Sequence, residues 1–178
     1  MDAAARAASV RLVILDVDGV LTDGRLYYGP QGEALKVFDV RDGHGIKLLR
    51  AAGIEVAILS ARRAEMVSVR ARELGIAHVI QGESDKRAGL QRLLAATRMQ
   101  AAHCAYIGDD WPDLAVLAQV GLPATVADAA PEVRRAAAWT AAARGGHGAV
   151  REFAEFILRA QGRFDGALAR YAAEDPGA

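Results

Sequence analysis

Asp16-Val17-Asp18-Gly19-Val20-Leu21-Thr22-Asp23-Gly24 sets two carboxylates two residues apart, where the apolar run Val10 to Leu15 gives out into a loop. A strand alternates its side chains, so Asp16 and Asp18 share one face if strand geometry persists, and Gly19 lets the backbone turn at once. Paired acids aimed at one point can divide the work of a reaction. Asp and Gly are also ordinary turn formers, and a lone Asp-x-Asp-Gly suits a solvated turn equally well. The rest of the chain has to separate these readings.

Short apolar runs alternate with amphipathic stretches on either side of this segment. Strands are expected at Val10–Leu15, Glu55–Leu59, Ala77–Ile80, His103–Ile107 and near Pro123–Val126. Helices are expected from about Gly43 to Ala52, Ala64 to Leu74, Asp85 to Thr97 and Pro112 to Gln119. Such alternation implies an α/β fold, a Rossmann-like parallel sheet with helices on both faces. One segment breaks the rhythm: Leu26-Tyr27-Tyr28, a turn at Gly29-Pro30-Gln31-Gly32, then Glu33 to Phe38 read as a projecting β-hairpin. In an open parallel sheet, ligands bind beyond the carboxyl ends of the strands. Ser60 follows one apolar run, Lys86 lies just past another, and Asp109, Asp110 and Asp113 follow Ala105–Gly108, so all can meet the first aspartates in one crevice.

The chain has 178 residues, expected to form one domain over 1–178 with loose tails at 1–9 and about 174–178. Lys+Arg and Asp+Glu both number 22, so no net charge favours nucleic acid or an anionic membrane, and a small substrate fits better. The Ala-rich start lacks the apolar core of a secretory signal, and nothing approaches the ~20 apolar residues of a membrane span. A cytoplasmic protein is expected. Cys104, the single cysteine, sits in an apolar run and reads as core. His44, His78, His103 and His147 lack ligand spacing and argue against a zinc site.

The order DxDG, Ser60, Lys86, GDDxxD resembles the haloacid dehalogenase superfamily of phosphohydrolases. DVDGVLTDG, Phe38-Asp39-Val40-Arg41-Asp42-Gly43-His44-Gly45-Ile46-Lys47, GDDWPD and Gly145-Gly146-His147-Gly148-Ala149-Val150-Arg151-Glu152 narrow the likeness. Over roughly residues 10 to 165 the chain resembles the 3-deoxy-D-manno-octulosonate 8-phosphate phosphatase family. The spacing from Asp16 to Ser60 and from Lys86 to Asp109 leaves no room for an independent cap domain of ~50 residues or more.

The resemblance implies a magnesium-dependent phosphatase in lipopolysaccharide core synthesis, with Asp16 as nucleophile and Asp18 as general acid and base. Ser60 and Lys86 would hold the transferring phosphoryl group. Asp16, the backbone carbonyl of Asp18 and Asp109 would bind the metal, with Asp110 and Asp113 holding water or neighbouring loops. Substrate contacts are expected from Asp18, the loop Asp39-Val40-Arg41-Asp42-Gly43, Lys47, Arg62, Arg70 and Lys86. Many relatives carry Thr-Gly-Arg where this chain has Ser60-Ala61-Arg62, which keeps the hydroxyl and the cation. The resemblance also implies a homotetramer assembled through the hairpins, each active site closed by neighbours. Gly145 to Gly148 read either as a mobile loop reaching such a neighbour or as the start of a C-terminal helix, and Arg151 as a local cation or a helix surface residue. The other functional readings are a phosphatase for a nine-carbon, sialic-type sugar acid phosphate and a non-catalytic scaffold.

Overall fold

The computed structural model describes residues 2–172. Six parallel strands form one sheet in the order β5 (His78–Ile80), β4 (Glu55–Leu59), β1 (Leu12–Leu15), β6 (Cys104–Gly108), β7 (Leu122–Thr125) and β8 (Trp139–Thr140). The chain starts in the middle at β1, moves outward to β5, then crosses back to build β6 to β8 on the other side. The crevice of such a sheet lies at this reversal, over the carboxyl end of β1.

Every residue of β1, β6 and β7 is buried, which explains their largely apolar character, because both faces are covered by helices; the polar Thr125 donates its hydroxyl to the Gly108 carbonyl at 2.6 Å. Helices α2 (Val40–Ala51), α7 (Ala149–Ala160) and α1 (Ala3–Ala7) pack as one group. Helices α3 (Glu65–Leu74), α4 (Lys86–Thr97), α5 (Leu114–Leu117) and α6 (Pro131–Ala136) complete the cover, and α8 (Phe164–Ala172) rests on α7. The hairpin is β2 (Tyr27–Gly29) and β3 (Gly32–Leu35), antiparallel and separate from the main sheet.

The expected strands and helices are present with ends shifted by a few residues. The Pro112–Gln119 stretch is a 3-10 turn, Trp111–Asp113, followed by the single turn of α5. Of the tail expected to be loose over 1–9, the described residues 2–9 include a helix: α1 buries Ala7 against the core, and Gln161 Nε2 donates to the carbonyls of Ala7 (3.1 Å) and Val10 (2.9 Å). The other expected tail, 174–178, lies outside the described residues. β8, α6 and α8 went unread; β8 has only two residues, too few for a period, and is anchored by Trp139 packing on Phe153 and Phe156 at 4.9 and 5.2 Å.

Two corrections concern the segment after the hairpin. Asp39 to Gly43, expected as a loop, is the N-terminus of α2, with the Asp39 carboxylate accepting from the Arg41 backbone at 2.7 Å as its cap. Asp42, expected to face substrate, is buried and accepts from the backbone N–H groups of Gly148 (3.3 Å) and Arg151 (2.8 Å). It therefore caps α7 from a neighbouring helix. Gly45 permits that packing, since a Cβ there would meet the Arg151 backbone at 2.8 Å. Gly148 is the N-cap of α7, which decides for the helix start over the mobile loop.

Candidate active site

The register of β1 sets the site. Leu15 pairs with Ile58 on one side and Ile107 on the other, so Asp16, Ser60 and Asp109 leave three adjacent strands at nearly the same level. The Asp16 N–H still donates to Ile107 at 3.1 Å, after which the chain coils, with Val20, Leu21 and Thr22 all donating to the Val17 carbonyl. Asp16 and Asp18 nonetheless line one cleft of about 310 Å³, with Ser60, Arg62, Lys86, Asp109, Asp110 and Asp113. Gly19, at φ +88°, is required here, because a Cβ would collide with the Asp109 carboxylate. A larger hollow of about 710 Å³ beside β5 has Glu65 as the one carboxylate of its lining, whereas several carboxylates converge in the smaller cleft.

Lys86 stands at the first position of α4, a helix capped by the Asp85 carboxylate accepting from Arg87 (3.0 Å) and Ala88 (3.2 Å). Its buried ammonium lies 2.8 Å from Asp16 Oδ2 and donates to Asp113 Oδ1 at 2.5 Å. Burial works against its charge, but Asp16 and Asp113 outweigh that and raise its pKa. Asp113 is fully engaged. Its Oδ1 also accepts from the buried Tyr106 hydroxyl at 2.5 Å, and its Oδ2 from the backbone of Asp109 (2.9 Å) and Asp110 (3.1 Å). It positions Lys86 and the loop that carries Asp109.

Asp16, Asp109 and Asp113 place carboxylate oxygens within 4.8 Å of one another. Burial and the like charge of Asp113 push Asp16 up to about 7, against the pull of Lys86. Burial, then Asp16 and Asp113, push Asp109 up to about 8. Three carboxylates with one ammonium call for a further cation, and an all-oxygen set suits a hard divalent ion. With Asp113 already engaged by Lys86, Tyr106 and two backbone N–H groups, Asp16 and Asp109 are the carboxylates of this set best able to face such an ion. The Ser60 Oγ accepts from Arg62 N at 3.2 Å, so its own proton is not spent in that bond.

Several anticipated residues do not line the cleft. Val40, Arg41 and Lys47 are exposed, Asp39 pairs with Arg41 at 2.7 Å, and Asp42 and Gly43 are buried in helix packing. Arg70 pairs with Glu73 at 3.2 Å and fills the space that a Gly43 side chain would take. The sequence reading missed Tyr106, Glu33 and Lys36. Tyr106 looked like any strand residue, though an aromatic hydroxyl inside a buried run usually takes a partner. Glu33 and Lys36 sit on the hairpin, and no spacing marked them: Lys36 Nζ contacts the Asp18 carboxylate and lies 2.7 Å from Glu33 Oε1, while Arg62 reaches Glu33 at 3.0 Å.

The profile of the haloacid dehalogenase-like hydrolase family matches residues 69–152. The chain is 50% identical over 166 residues to the 3-deoxy-D-manno-octulosonate 8-phosphate phosphatase of Yersinia pestis, covering 93% of this chain and 89% of that protein. This chain belongs to the 3-deoxy-D-manno-octulosonate 8-phosphate phosphatase family. The Yersinia crystal structure superposes with a TM-score of 0.90 over the same shares of the two chains. The Moraxella catarrhalis phosphatase, solved with a magnesium ion, a phosphate ion and the sugar acid, is 40% identical, covers 95% and 97% of the two chains and reaches a TM-score of 0.92. The cobalt-bound phosphatase of Haemophilus influenzae is 40% identical, with a TM-score of 0.89 over 92% and 99% of the chains.

Proposed function

We propose that this chain is a magnesium-dependent phosphatase that hydrolyses 3-deoxy-D-manno-octulosonate 8-phosphate to the free sugar acid and inorganic phosphate, in lipopolysaccharide core synthesis. The observation that carries this reading is the convergence of the buried Asp16 and Lys86 with the half-buried Asp109 at the carboxyl ends of β1 and β6, with Asp18 at the same cleft. Magnesium, held by Asp16, Asp109 and the Asp18 carbonyl, would supply positive charge against which a carboxylate can approach an anionic phosphate.

An Asp16 carboxylate oxygen attacks phosphorus. A new oxygen–phosphorus bond forms as the bond to the sugar oxygen breaks, and its electron pair leaves on that oxygen. Asp18 gives its proton to the departing oxygen. Water then attacks the phosphorus of the aspartyl phosphate and yields a proton to Asp18, releasing phosphate and restoring Asp16. Lys86, held by Asp113, keeps its charge beside Asp16 and the phosphoryl oxygens throughout. Ser60 donates to one of those oxygens, and Arg62 offers a cation at the mouth.

The assembly belongs to the same reading. Leu26, Tyr27, Tyr28, Leu35, Val37 and Val40 expose apolar surface on and beside the hairpin, which favours cover by other subunits in a homotetramer. In that arrangement the exposed Arg41 and Lys47 serve a neighbour's cleft, in keeping with their place outside their own. Among the described residues no helix is long and apolar enough to cross a membrane, and we place the enzyme in the cytoplasm with its sugar phosphate.

Phosphate release from a panel of sugar phosphates, with and without magnesium, tests this function. The eight-carbon acid phosphate should turn over fastest and only with metal. Preference for a nine-carbon acid phosphate, or no turnover of either, would reject the assignment.

A further inference from the structure

We propose that Lys36 is a positioning residue for Asp18, holding one carboxylate oxygen so that the other, Oδ2, exchanges the proton with the leaving group. This rests on the phosphatase reading above. Lysine is rarely buried, yet the Lys36 side chain is 1% exposed, clasped between Asp18 Oδ1 and Glu33 Oε1, the latter at 2.7 Å. A buried ammonium is costly unless paired, and here two carboxylates pair it. So enclosed, it does not reach a substrate in the cleft, and its influence passes through Asp18.

Arg62 completes the arrangement. Its guanidinium binds Glu33 Oε2 at 3.0 Å and stands 3.7 Å from Asp18 Oδ2, beyond hydrogen-bond range. Asp18 Oδ1 is thus engaged by a buried donor, while Oδ2 stays at the cleft with no close donor from this ring. An acid that must face the leaving oxygen gains from losing its rotational freedom, since misorientation of a proton donor is paid in rate. The hairpin thereby contributes to the chemistry of its own chain through Glu33 and Lys36.

The test compares two esters by kcat/KM, which reports only the steps through departure of the leaving group, so the later attack of water does not enter. A sugar alkoxide needs a proton to leave; p-nitrophenolate does not. Lys36→Met should lower kcat/KM for 3-deoxy-D-manno-octulosonate 8-phosphate by about 100-fold and for p-nitrophenyl phosphate by less than about threefold. Lys36→Arg, which keeps charge and donors, should recover part of the loss on the sugar phosphate only. Equal losses on both esters in the two variants, or no loss on either, would overturn the proposal. Turnover of the sugar phosphate by the unmodified chain tests the functional reading separately.

Discussion

On the sheet side of Asp18, three carboxylates, Asp16, Asp109 and Asp113, share the single ammonium of Lys86; on the hairpin side, Asp18 and Glu33 face Lys36 and Arg62. The first cluster is unbalanced and draws in a cation from outside. The second is neutral and holds itself together. Charge thus serves two ends on either side of Asp18: an excess of one sign makes a site that can hold metal, and a matched set makes a scaffold that aims an acid.

The largest effect expected from unbalancing this comparison comes at Asp16. Asp16→Asn should cut kcat at least about a thousandfold, because the nucleophile is gone, while thermal unfolding changes little, since one crowded negative charge is also removed. Comparable activity in the variant would break the assignment. Next is Lys86→Met, which strips Asp16 and Asp113 of their shared cation; breaking such a buried pair should lower stability by about 3–5 kcal/mol in the metal-free protein, read by urea denaturation. An unaltered midpoint would mean that the carboxylates are not held apart by that ammonium.

A third expectation concerns pH. In the metal-free fold, Asp16 and Asp109 bind protons up to about 7 and about 8, far above an unfolded carboxylate. A group whose pKa is raised by folding contributes stability that is complete below its unfolded pKa and lost as pH rises through its folded one. Melting temperature without metal should therefore fall from about pH 4 towards pH 8, and the rise on adding magnesium should be larger at pH 8 than at pH 6, since the ion needs both carboxylates ionised. A metal-free melting curve independent of pH would remove the imbalance on which the comparison stands.

The smallest effect is expected at the tip of the hairpin. Tyr28 is 67% exposed, so Tyr28→Asp should leave the fold and the magnesium response nearly intact while shifting the particle towards smaller species by light scattering. An unchanged mass would show that this face does not join subunits.

The sheet and most helices were legible because buried parallel strands leave continuous apolar runs and amphipathic helices a 3.6 period; Glu55–Leu59 was read to the residue. The meeting of Asp16, Ser60 and Asp109 in one cleft was legible because each follows the end of a strand, where position along the chain fixes position in the crevice. Lys36 and Glu33 were not, because they reach Asp18 across a hairpin whose orientation depends on tertiary packing and not on any local period. Asp42 misled for the opposite reason: it lies in a distinctive block, but its side chain caps a helix 106 residues away. Arg41 and Lys47 sit in that block as well, yet neither lines the cleft that holds Asp16.

The most direct test of the central claim, that Asp16 carries the phosphoryl group, is reductive trapping during turnover. Borohydride converts an aspartyl phosphate to homoserine, and peptide mapping by mass spectrometry locates it. Homoserine at position 16, formed only with substrate and magnesium together, is the expected result; trapping at another residue, or none while phosphate is still released, would contradict the account.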